Sequence, residues 1–230
     1  MVDGRSGEWG RTGEWGRTGE WAGRDQAGRA ICAMTGRALA GAGAAGLDGD
    51  GNLRDGGAVE WTGARYADKP TVEVPIEIDA PPERVWAIVS DIGVMPGASS
   101  ELQAVEWLDG LSGPELGARF AGHNWHQAFG EWSTVSVIVQ YDPPRVFAWA
   151  VGDPEQPSAI WRFSLEPREG GTLLREWVQM GPGRSGLSIA IDRMPDKEQK
   201  IVFVRLQEFE ANMGATLATI KRLAEEPEGA

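Results

Sequence analysis

The sequence is poor in the residue types that form disulfides, metal sites and contacts with phosphate. It has one cysteine, Cys32, which excludes an intramolecular disulfide, and its two histidines, His123 and His126, do not complete a zinc-binding set. Lys and Arg number 22 against 34 Asp and Glu, so the net charge is −12. Because nucleic acids bind to clustered cations, this balance predicts no nucleic-acid partner, and we also predict no bound metal.

Long apolar runs and cofactor motifs are also missing. No run of about 18 apolar residues exists, which predicts no stable membrane insertion. The alanine-rich residues 38–47 are interrupted by glycines and followed at once by Asp48, so they do not form a targeting signal. The chain has no nucleophile elbow, phosphate loop or dinucleotide fingerprint. We therefore predict a cytoplasmic protein that works without a cofactor.

The first 65 residues offer little that could build a hydrophobic core. Residues 4–21 are three copies of a six-residue unit, Gly-Arg-Ser/Thr-Gly-Glu-Trp, and seventeen of the 32 glycines fall within residues 1–68. Such a composition is typical of disordered segments, because glycine loses much backbone entropy on folding. We predict a disordered glycine-rich leader over residues 1–65. The abrupt change of composition near Tyr66 also motivates the hypothesis that the mature chain begins at Met34 or later.

The C-terminal stretch carries a clear helical pattern. Apolar residues recur in steps of three and four from Val202 to Ala224, which keeps them on one face of a helix. Asp196 followed by Gln199 predicts a capping box at the start of this helix. The pattern predicts a long amphipathic helix over residues 196 to about 226, which needs a large apolar surface to cover.

The residues before this helix alternate as β-strands do. Residues 71–79 form the first predicted strand, in which Pro75 indicates an edge or a bulge. Two short helices are predicted next, the first of them opened by Pro81 and Pro82. Six further strand-like runs lie between turn signals, at residues 101–108, 117–125, 131–141, 145–151, 158–166 and 172–180. Strands that follow one another directly, with helices at both ends, predict an α+β fold.

Two stretches resemble the START-like helix-grip superfamily, in its polyketide cyclase/dehydrase-like (SRPBCC) branch. Residues 76–91 read Ile-Glu-Ile-Asp-Ala-Pro-Pro-Glu-Arg-Val-Trp-Ala-Ile-Val-Ser-Asp, and residues 161–172 combine Trp-Arg-Phe-Ser-Leu-Glu-Pro with Gly-Gly-Thr. The resemblance implies a helix-grip domain over residues 66–226, followed by a tail at 227–230. In that fold a seven-stranded antiparallel sheet curves around the long C-terminal helix, and two short helices follow the first strand.

The resemblance further implies a cavity between the sheet and the long helix. We predict that this cavity binds a small hydrophobic or aromatic molecule or a lipid, driven by burial of apolar ligand surface. The residues predicted to form its walls and floor are Val137, Val139, Trp161, Phe163, Val178, Leu206, Phe209, Met213 and Leu217.

An enzyme of the cyclase/aromatase or dehydratase kind is the first alternative function. In the alternation of the last strand, Glu176 shares a face with Leu174, and a carboxyl on an inward face would have a raised pKa suited to acid–base catalysis. His123 is a second candidate acid or base, at the rim of the cavity. The structural alternative for Glu176 is an ion pair with Arg162 or Arg175.

A partner-binding module with a vestigial cavity is the second alternative. Each of the six later strand runs carries one tryptophan, and strand parity allows about half of these indoles to face inward. The six are Trp107, Trp125, Trp132, Trp149, Trp161 and Trp177. A cavity filled by such side chains would favour this interpretation.

Overall fold

Within residues 58–127 and 130–227, which the computed structural model describes, seven strands and four α-helices follow one another. They are β1 (Thr71–Ile78), α1 (Pro82–Val89), α2 (Met95–Ala98), β2 (Leu102–Trp107), β3 (Arg119–His126), β4 (Gly130–Asp142), β5 (Val146–Val151), β6 (Ala159–Arg168), β7 (Gly171–Met180), α3 (Gly186–Arg193) and α4 (Glu198–Glu225). Short 3₁₀ turns at Tyr66–Asp68 and Pro195–Lys197 precede β1 and α4.

The strands form one antiparallel sheet in the order β1-β7-β6-β5-β4-β3-β2. Strands β2 to β7 pair with their neighbours in the sequence, and β1 joins the sheet beside β7. β1 is therefore an edge strand, as Pro75 indicated, because a residue without an N–H group is tolerated where one side of the strand is unpaired. The predicted α+β helix-grip fold is confirmed.

Glycine is required at the hairpin between β6 and β7. Gly170 has a φ of +79°, a conformation that other residues rarely adopt. At Gly171 a Cβ atom would lie 2.2 Å from the carbonyl oxygen of Ile78, so only glycine allows β1 to approach β7 here. This close approach places the last residues of β1 directly beside the start of β7.

Helix α4 lies along the concave face of the sheet with its predicted apolar stripe buried. The buried stripe consists of Val202, Leu206, Phe209, Met213, Leu217, Ile220 and Ala224. Its N-terminal half packs against residues of β1 and β7, and its C-terminal half packs against α1 and the centre of the sheet. The capping-box prediction is wrong: α4 begins at Glu198, after a 3₁₀ turn, and has no side-chain cap at its N-terminus.

The chain before β1 also contacts α4. The backbone N–H of Val59 donates to both carboxylate oxygens of Glu210, at 3.1 and 3.0 Å. The ring of Trp61 meets that of Phe203 edge-on at 5.2 Å. These contacts begin inside the range that composition assigned to the leader, whereas the hexapeptide repeats and Met34 lie outside the described residues.

Candidate functional site

A cavity of about 160 Å³ lies between the sheet and α4, where the two apolar clusters of the core meet. It is partly open to solvent. For comparison, an engineered apolar cavity of about 150 Å³ in another protein holds one benzene molecule. One aromatic ring would therefore fill most of the enclosed space, and a larger ligand would extend towards the opening.

One wall of the cavity is aromatic. Trp149 on β5 and Trp161 on β6 are cross-strand partners whose rings are nearly parallel, with centroids 6.4 Å apart. Phe209 of α4 meets Trp161 edge-on at 5.1 Å, and Phe163 lies 5.9 Å from Trp149. All four side chains line the cavity, which gives it a surface suited to a planar or apolar group.

Polar side chains line the part of the cavity formed by β3 and β4. Asn124, Thr134 and Ser136 contribute an amide and two hydroxyls. Gly122 lies among them, and a Cβ atom there would come within 3.1 Å of Leu102 and 3.4 Å of the Thr134 hydroxyl. The missing side chain keeps space open beside polar groups that can orient a ligand.

Glu176 is the buried acid of the site. It lies in the middle of β7, opposite Val74 of β1 and Phe163 of β6, and only 6% of its surface is exposed. Among the described residues none donates a hydrogen bond to its Oε2 atom. Burial raises the pKa of this carboxyl to about 8, because the charged form loses its hydration. At neutral pH the group is therefore mostly protonated.

The predicted ion pair of Glu176 with a neighbouring arginine is absent from the described structure. Arg162 and Arg175 lie on the opposite face of the sheet, where both approach Glu73, at 3.8 and 3.7 Å respectively. Arg162 also stacks over the ring of Trp177, 4.5 Å from its centroid. Because neighbouring residues of a strand face opposite sides, an arginine next to Glu176 in β7 cannot reach the cavity.

A buried ion pair lies at the edge of the cavity. Arg205 of α4 donates from both Nη atoms to the carboxylate of Glu101, at 2.7 Å each, and Asn212 donates to the same carboxylate at 3.1 Å. The Arg205 guanidinium also lies 4.2 Å from the ring centroid of Phe209. Glu101 and Asn212 line the cavity, so this cluster ties α4 to the start of β2 at the site.

Several predicted residues lie where the sequence placed them. The structure brings together Trp161, Phe163, Phe209, Met213 and Glu176 as lining residues. Val178, Leu206 and Leu217 are buried in the packing between α4 and the sheet without lining the cavity. Leu206 and Leu217 do not line the cavity because α4 has 28 residues and extends beyond the cavity at both ends.

The prediction that Val137 and Val139 form a cavity wall is wrong. Ser136 lines the cavity and Ile138 is buried in the core. Val137 lies between these two residues and Val139 follows them, so both valines face away from the cavity, and Val139 is 38% exposed. A β-bulge directly after Ile138 shifts the register between β4 and β5. Tyr141 returns to the core beyond this bulge, so the alternating residues Val135, Val137, Val139 and Tyr141 do not share one face.

His123 is not at the rim of the cavity. It lies on the outer face of β3, where its Nδ1 atom is 2.9 Å from the Ser133 hydroxyl and its Nε2 atom is 3.8 Å from Glu106. Its side chain is 48% exposed. The prediction of an acid or base at the cavity is therefore wrong for this residue, since the cavity lies beneath its neighbours Gly122 and Asn124.

Tryptophans do not fill the cavity. Trp149 and Trp161 form part of its wall, whereas Trp107 packs against Phe120 in the core. Trp125 is 48% exposed on the outer face of the sheet. Open space remains between these side chains, so the interpretation of a vestigial, tryptophan-filled cavity has no support from this arrangement.

Sequence reasoning missed the polar half of the site. Thr134 and Ser136 alternate with valines on β4, and such alternation predicts the apolar residues on the inner face. In the sheet, Ser136 pairs with Phe120 and Thr134 pairs with Gly122 of β3. This pairing is the signal that assigns the two hydroxyl-bearing residues to the inner face. Arg205 was not selected, because its partner Glu101 is 104 positions away in the sequence.

Residues 58–127 and 130–227 contain neither a metal-binding cluster nor a membrane-spanning helix. No three His, Cys, Asp or Glu side chains in these ranges are arranged to hold a metal ion. No helix in the same ranges has the length and apolar content that crossing a membrane requires.

A family model described as polyketide cyclase/dehydrase and lipid transport matches residues 69–194 of the chain. A solved Polyketide_cyc-like protein from Corynebacterium glutamicum is 33% identical, with a TM-score of 0.51, over 67% of this chain and 91% of its own length. None of the curated proteins matches the sequence.

Two di-domain ARO/CYC proteins share the fold at lower identity. StfQ, from the steffimycin biosynthetic pathway, is 15% identical with a TM-score of 0.55 over 70% of this chain and 52% of its own. BexL, from the BE-7585A pathway, is 18% identical with a TM-score of 0.53 over 74% and 54%. The chain thus spans about half the length of each, and at these identities the likeness concerns the fold alone.

Proposed function

Because this chain belongs to the polyketide cyclase/dehydrase and lipid transport family, we propose that it reversibly binds a small hydrophobic or aromatic molecule or a lipid. The ligand would occupy the cavity between the sheet and α4. The observation that carries this proposal is a partly open cavity with an aromatic wall of Trp149, Trp161, Phe163 and Phe209. Asn124, Thr134 and Ser136 would fix the orientation of a polar substituent.

The size of the cavity bounds the affinity for simple ligands. Burying roughly 150 Å² of apolar surface at about 25 cal/mol per Å² contributes about 4 kcal/mol. That free energy corresponds to a Kd of about 1 mM. A physiological ligand that binds more tightly must add polar contacts inside the cavity or apolar contacts along the opening.

Replacing Trp161 by Phe should weaken binding of 2-phenylethanol roughly fivefold, because the smaller ring removes about 1 kcal/mol of apolar contact. Trp125→Phe is the matched control, since Trp125 lies exposed on the other face of the sheet. Affinity is measured by isothermal titration calorimetry. The rise in melting temperature with 2-phenylethanol and with the neutral lipid 1-monooleoylglycerol gives an independent readout.

The expected results are a ligand-dependent rise in melting temperature for the wild-type protein and for Trp125→Phe, with a smaller rise for Trp161→Phe. Equal affinities in the two variants would contradict binding at the aromatic wall. No rise with either probe would contradict the proposed function itself.

Acid–base catalysis is the second candidate function, and the buried carboxyl of Glu176, whose Oε2 atom lacks a donor among the described residues, favours it. With a pKa of about 8, the group could accept a proton from a carbon next to a ketone and return it to the alkoxide formed on ring closure. The same wall and polar groups would hold a flexible chain folded for an intramolecular aldol reaction. His123 has no part in this scheme because it lies on the outer face of the sheet.

If Glu176 is the acid–base group, Glu176→Gln should lower the rate of such a reaction at least a hundredfold, which is typical for loss of a general base. A simple probe is 2,6-heptanedione, which closes to 3-methylcyclohex-2-enone with loss of water. Formation of the enone is followed by its ultraviolet absorbance. Equal rates for the wild-type and Glu176→Gln proteins would contradict catalysis and leave ligand binding as the function.

A further inference from the structure

We propose that the ligand is an organic cation, with an ammonium group that pairs with Glu176 and an apolar or aromatic body that lies against Trp161 and Phe209. This inference rests on the proposed function, because it names the chemical class of the molecule bound in the same cavity. Three observations carry it: the charges around the cavity, the unsatisfied carboxyl, and the aromatic rings beside that carboxyl.

The charges around the cavity favour cations over anions. Among the described residues that line it, the ionisable ones are Glu101 and Glu176, both acidic. Glu101 is already paired with Arg205, which donates two hydrogen bonds to it and also pairs with Glu208. A ligand carboxylate or phosphate would therefore be buried without a positive partner, which costs much free energy. The net charge of −12 also attracts cations to the protein.

Glu176 is the group that such a cation would satisfy. Its side chain is more than nine-tenths buried and lines the cavity, and its Oε2 atom lacks a hydrogen-bond donor among the described residues. An ammonium group would supply that donor together with a compensating charge. Within the part of the chain that the structure describes, this oxygen therefore stays buried without a donor.

Aromatic side chains lie on the same face of the sheet as this carboxyl. Phe163 is the direct cross-strand partner of Glu176, and Trp161 lies two residues before Phe163 on the same face of β6. Trp149 and Phe209 extend this aromatic surface on either side of Trp161. Aromatic rings attract cations through their quadrupoles, so rings and a carboxyl together form a site for an ammonium group.

Pairing with a cation requires Glu176 to lose its proton. The O–H bond of the carboxyl breaks, the proton passes to solvent, and the carboxylate then accepts a hydrogen bond from the ammonium group. The cross-strand partners of Glu176 are apolar, namely Val74 of β1 and Phe163 of β6. The residues of α4 that line the cavity with it are all uncharged: Phe209, Asn212, Met213 and Thr216. The other charged groups at the cavity are Glu101 and the Arg205 that pairs with it.

The pH dependence follows from this proton. Burial sets the pKa of Glu176 at about 8 in the free protein, and the ammonium group lowers it on binding. Binding near pH 7 should therefore release close to one proton per ligand. Affinity for an amine should rise from pH 6 to pH 8, as less work is needed to ionise Glu176, whereas affinity for a neutral analogue should stay constant.

Three probes of similar size and different charge test the proposal on the full-length protein. They are 2-phenylethylamine, 2-phenylethanol and phenylacetate, titrated by calorimetry at pH 7 in two buffers with different protonation enthalpies. We expect the amine to bind about tenfold more tightly than the alcohol, and phenylacetate to bind most weakly. The dependence of the heat on the buffer gives the number of protons released.

Glu176→Gln and Glu73→Gln provide matched variants. Both remove one carboxylate, but Glu73 lies on the outer face of the sheet beside Arg162 and Arg175. We expect Glu176→Gln to abolish the tenfold preference for the amine and the proton release while the alcohol still binds. Glu73→Gln should preserve the tenfold preference for the amine and the proton release.

The outcomes separate this proposal from the proposed function. If the alcohol binds as tightly as the amine, the ligand is not selected by positive charge and only the general binding function stands. If the preference for the amine persists in Glu176→Gln, the cation does not pair with this carboxyl. If none of the three probes binds to the wild-type protein, both proposals are overturned.

Discussion

Between pH 5 and pH 7, the Glu176→Gln protein should gain about 2.5 kcal/mol in free energy of unfolding relative to the wild-type protein. At pH 5 the two proteins should have similar stabilities, since the protonated carboxyl and the amide are both neutral and similar in size. At pH 7 the variant should be the more stable.

The sign of this effect follows from the direction of the pKa shift. Burial raises the pKa of Glu176 from 4.5 to about 8, so the folded protein holds a proton that the unfolded chain releases above pH 4.5. The contribution of protonated Glu176 to the free energy of unfolding is fully present below pH 4.5 and is lost as the pH rises towards 8. The loss is about 1.4 kcal/mol per pH unit in this window, and glutamine does not titrate.

Urea unfolding at pH 5, 6, 7 and 8 measures this difference. The remaining carboxyl groups are common to both proteins, so the change in the difference with pH isolates Glu176. Glu73→Gln serves as a control, because Glu73 is far more exposed. A difference between the wild-type and Glu176→Gln proteins that stays constant from pH 5 to pH 8 would contradict a buried, neutral Glu176.

Replacing Arg205 by Met should destabilise the protein by about 3–5 kcal/mol, the typical cost of leaving one member of a buried ion pair without its partner. Glu101 would lose both guanidinium hydrogen bonds while remaining mostly buried; the two side chains are 15% and 12% exposed. The contact between the guanidinium group and the ring of Phe209 would be lost as well. Urea titration of the wild-type and Arg205→Met proteins gives both free energies of unfolding and so measures the predicted loss.

The chain offers a matched control for burial. Arg119 also binds a carboxylate with two hydrogen bonds, to Asp109 at 2.7 and 2.6 Å, but these side chains are about half exposed. Arg119→Met should leave the midpoint of unfolding nearly unchanged, because exposed ion pairs contribute little. Replacing Glu101 and Arg205 together by apolar residues should restore part of the stability, since Glu101 no longer remains buried without its partner, whereas Glu208, 24% exposed, still loses its contact with Arg205. Similar losses in the two single variants would show that burial does not govern the effect.

Local patterns predicted the parts of the site that lie on regular elements. Phe209 and Met213 follow the helical repeat of α4, and Trp161, Phe163 and Glu176 follow the alternation of two strands without a bulge. Their faces could be assigned from the sequence because successive side chains keep a fixed period. Neither pattern indicated which part of α4 lies over the cavity, because the buried stripe is continuous along the helix.

The faces of β4 could not be assigned in this way. Before the bulge, Val135 and Val137 lie on the outer face of this strand, whereas the hydroxyl-bearing residues Thr134 and Ser136 lie on its inner face. A bulge inserts one residue and exchanges the faces beyond it, so a single alternating pattern gives the wrong assignment for half of the strand. Val137 and Val139 were misassigned for this reason.

The α+β class, the long amphipathic helix and the inward face of Glu176 could be predicted from the sequence alone, because each depends on residues that are close in the chain. Three features required the tertiary structure: no described residue donates a hydrogen bond to Oε2 of Glu176, Arg205 pairs with Glu101, and His123 faces away from the cavity. These outcomes depend on strand register and on contacts between distant segments. The same contacts set the charge balance of the cavity, on which the proposed choice of ligand rests.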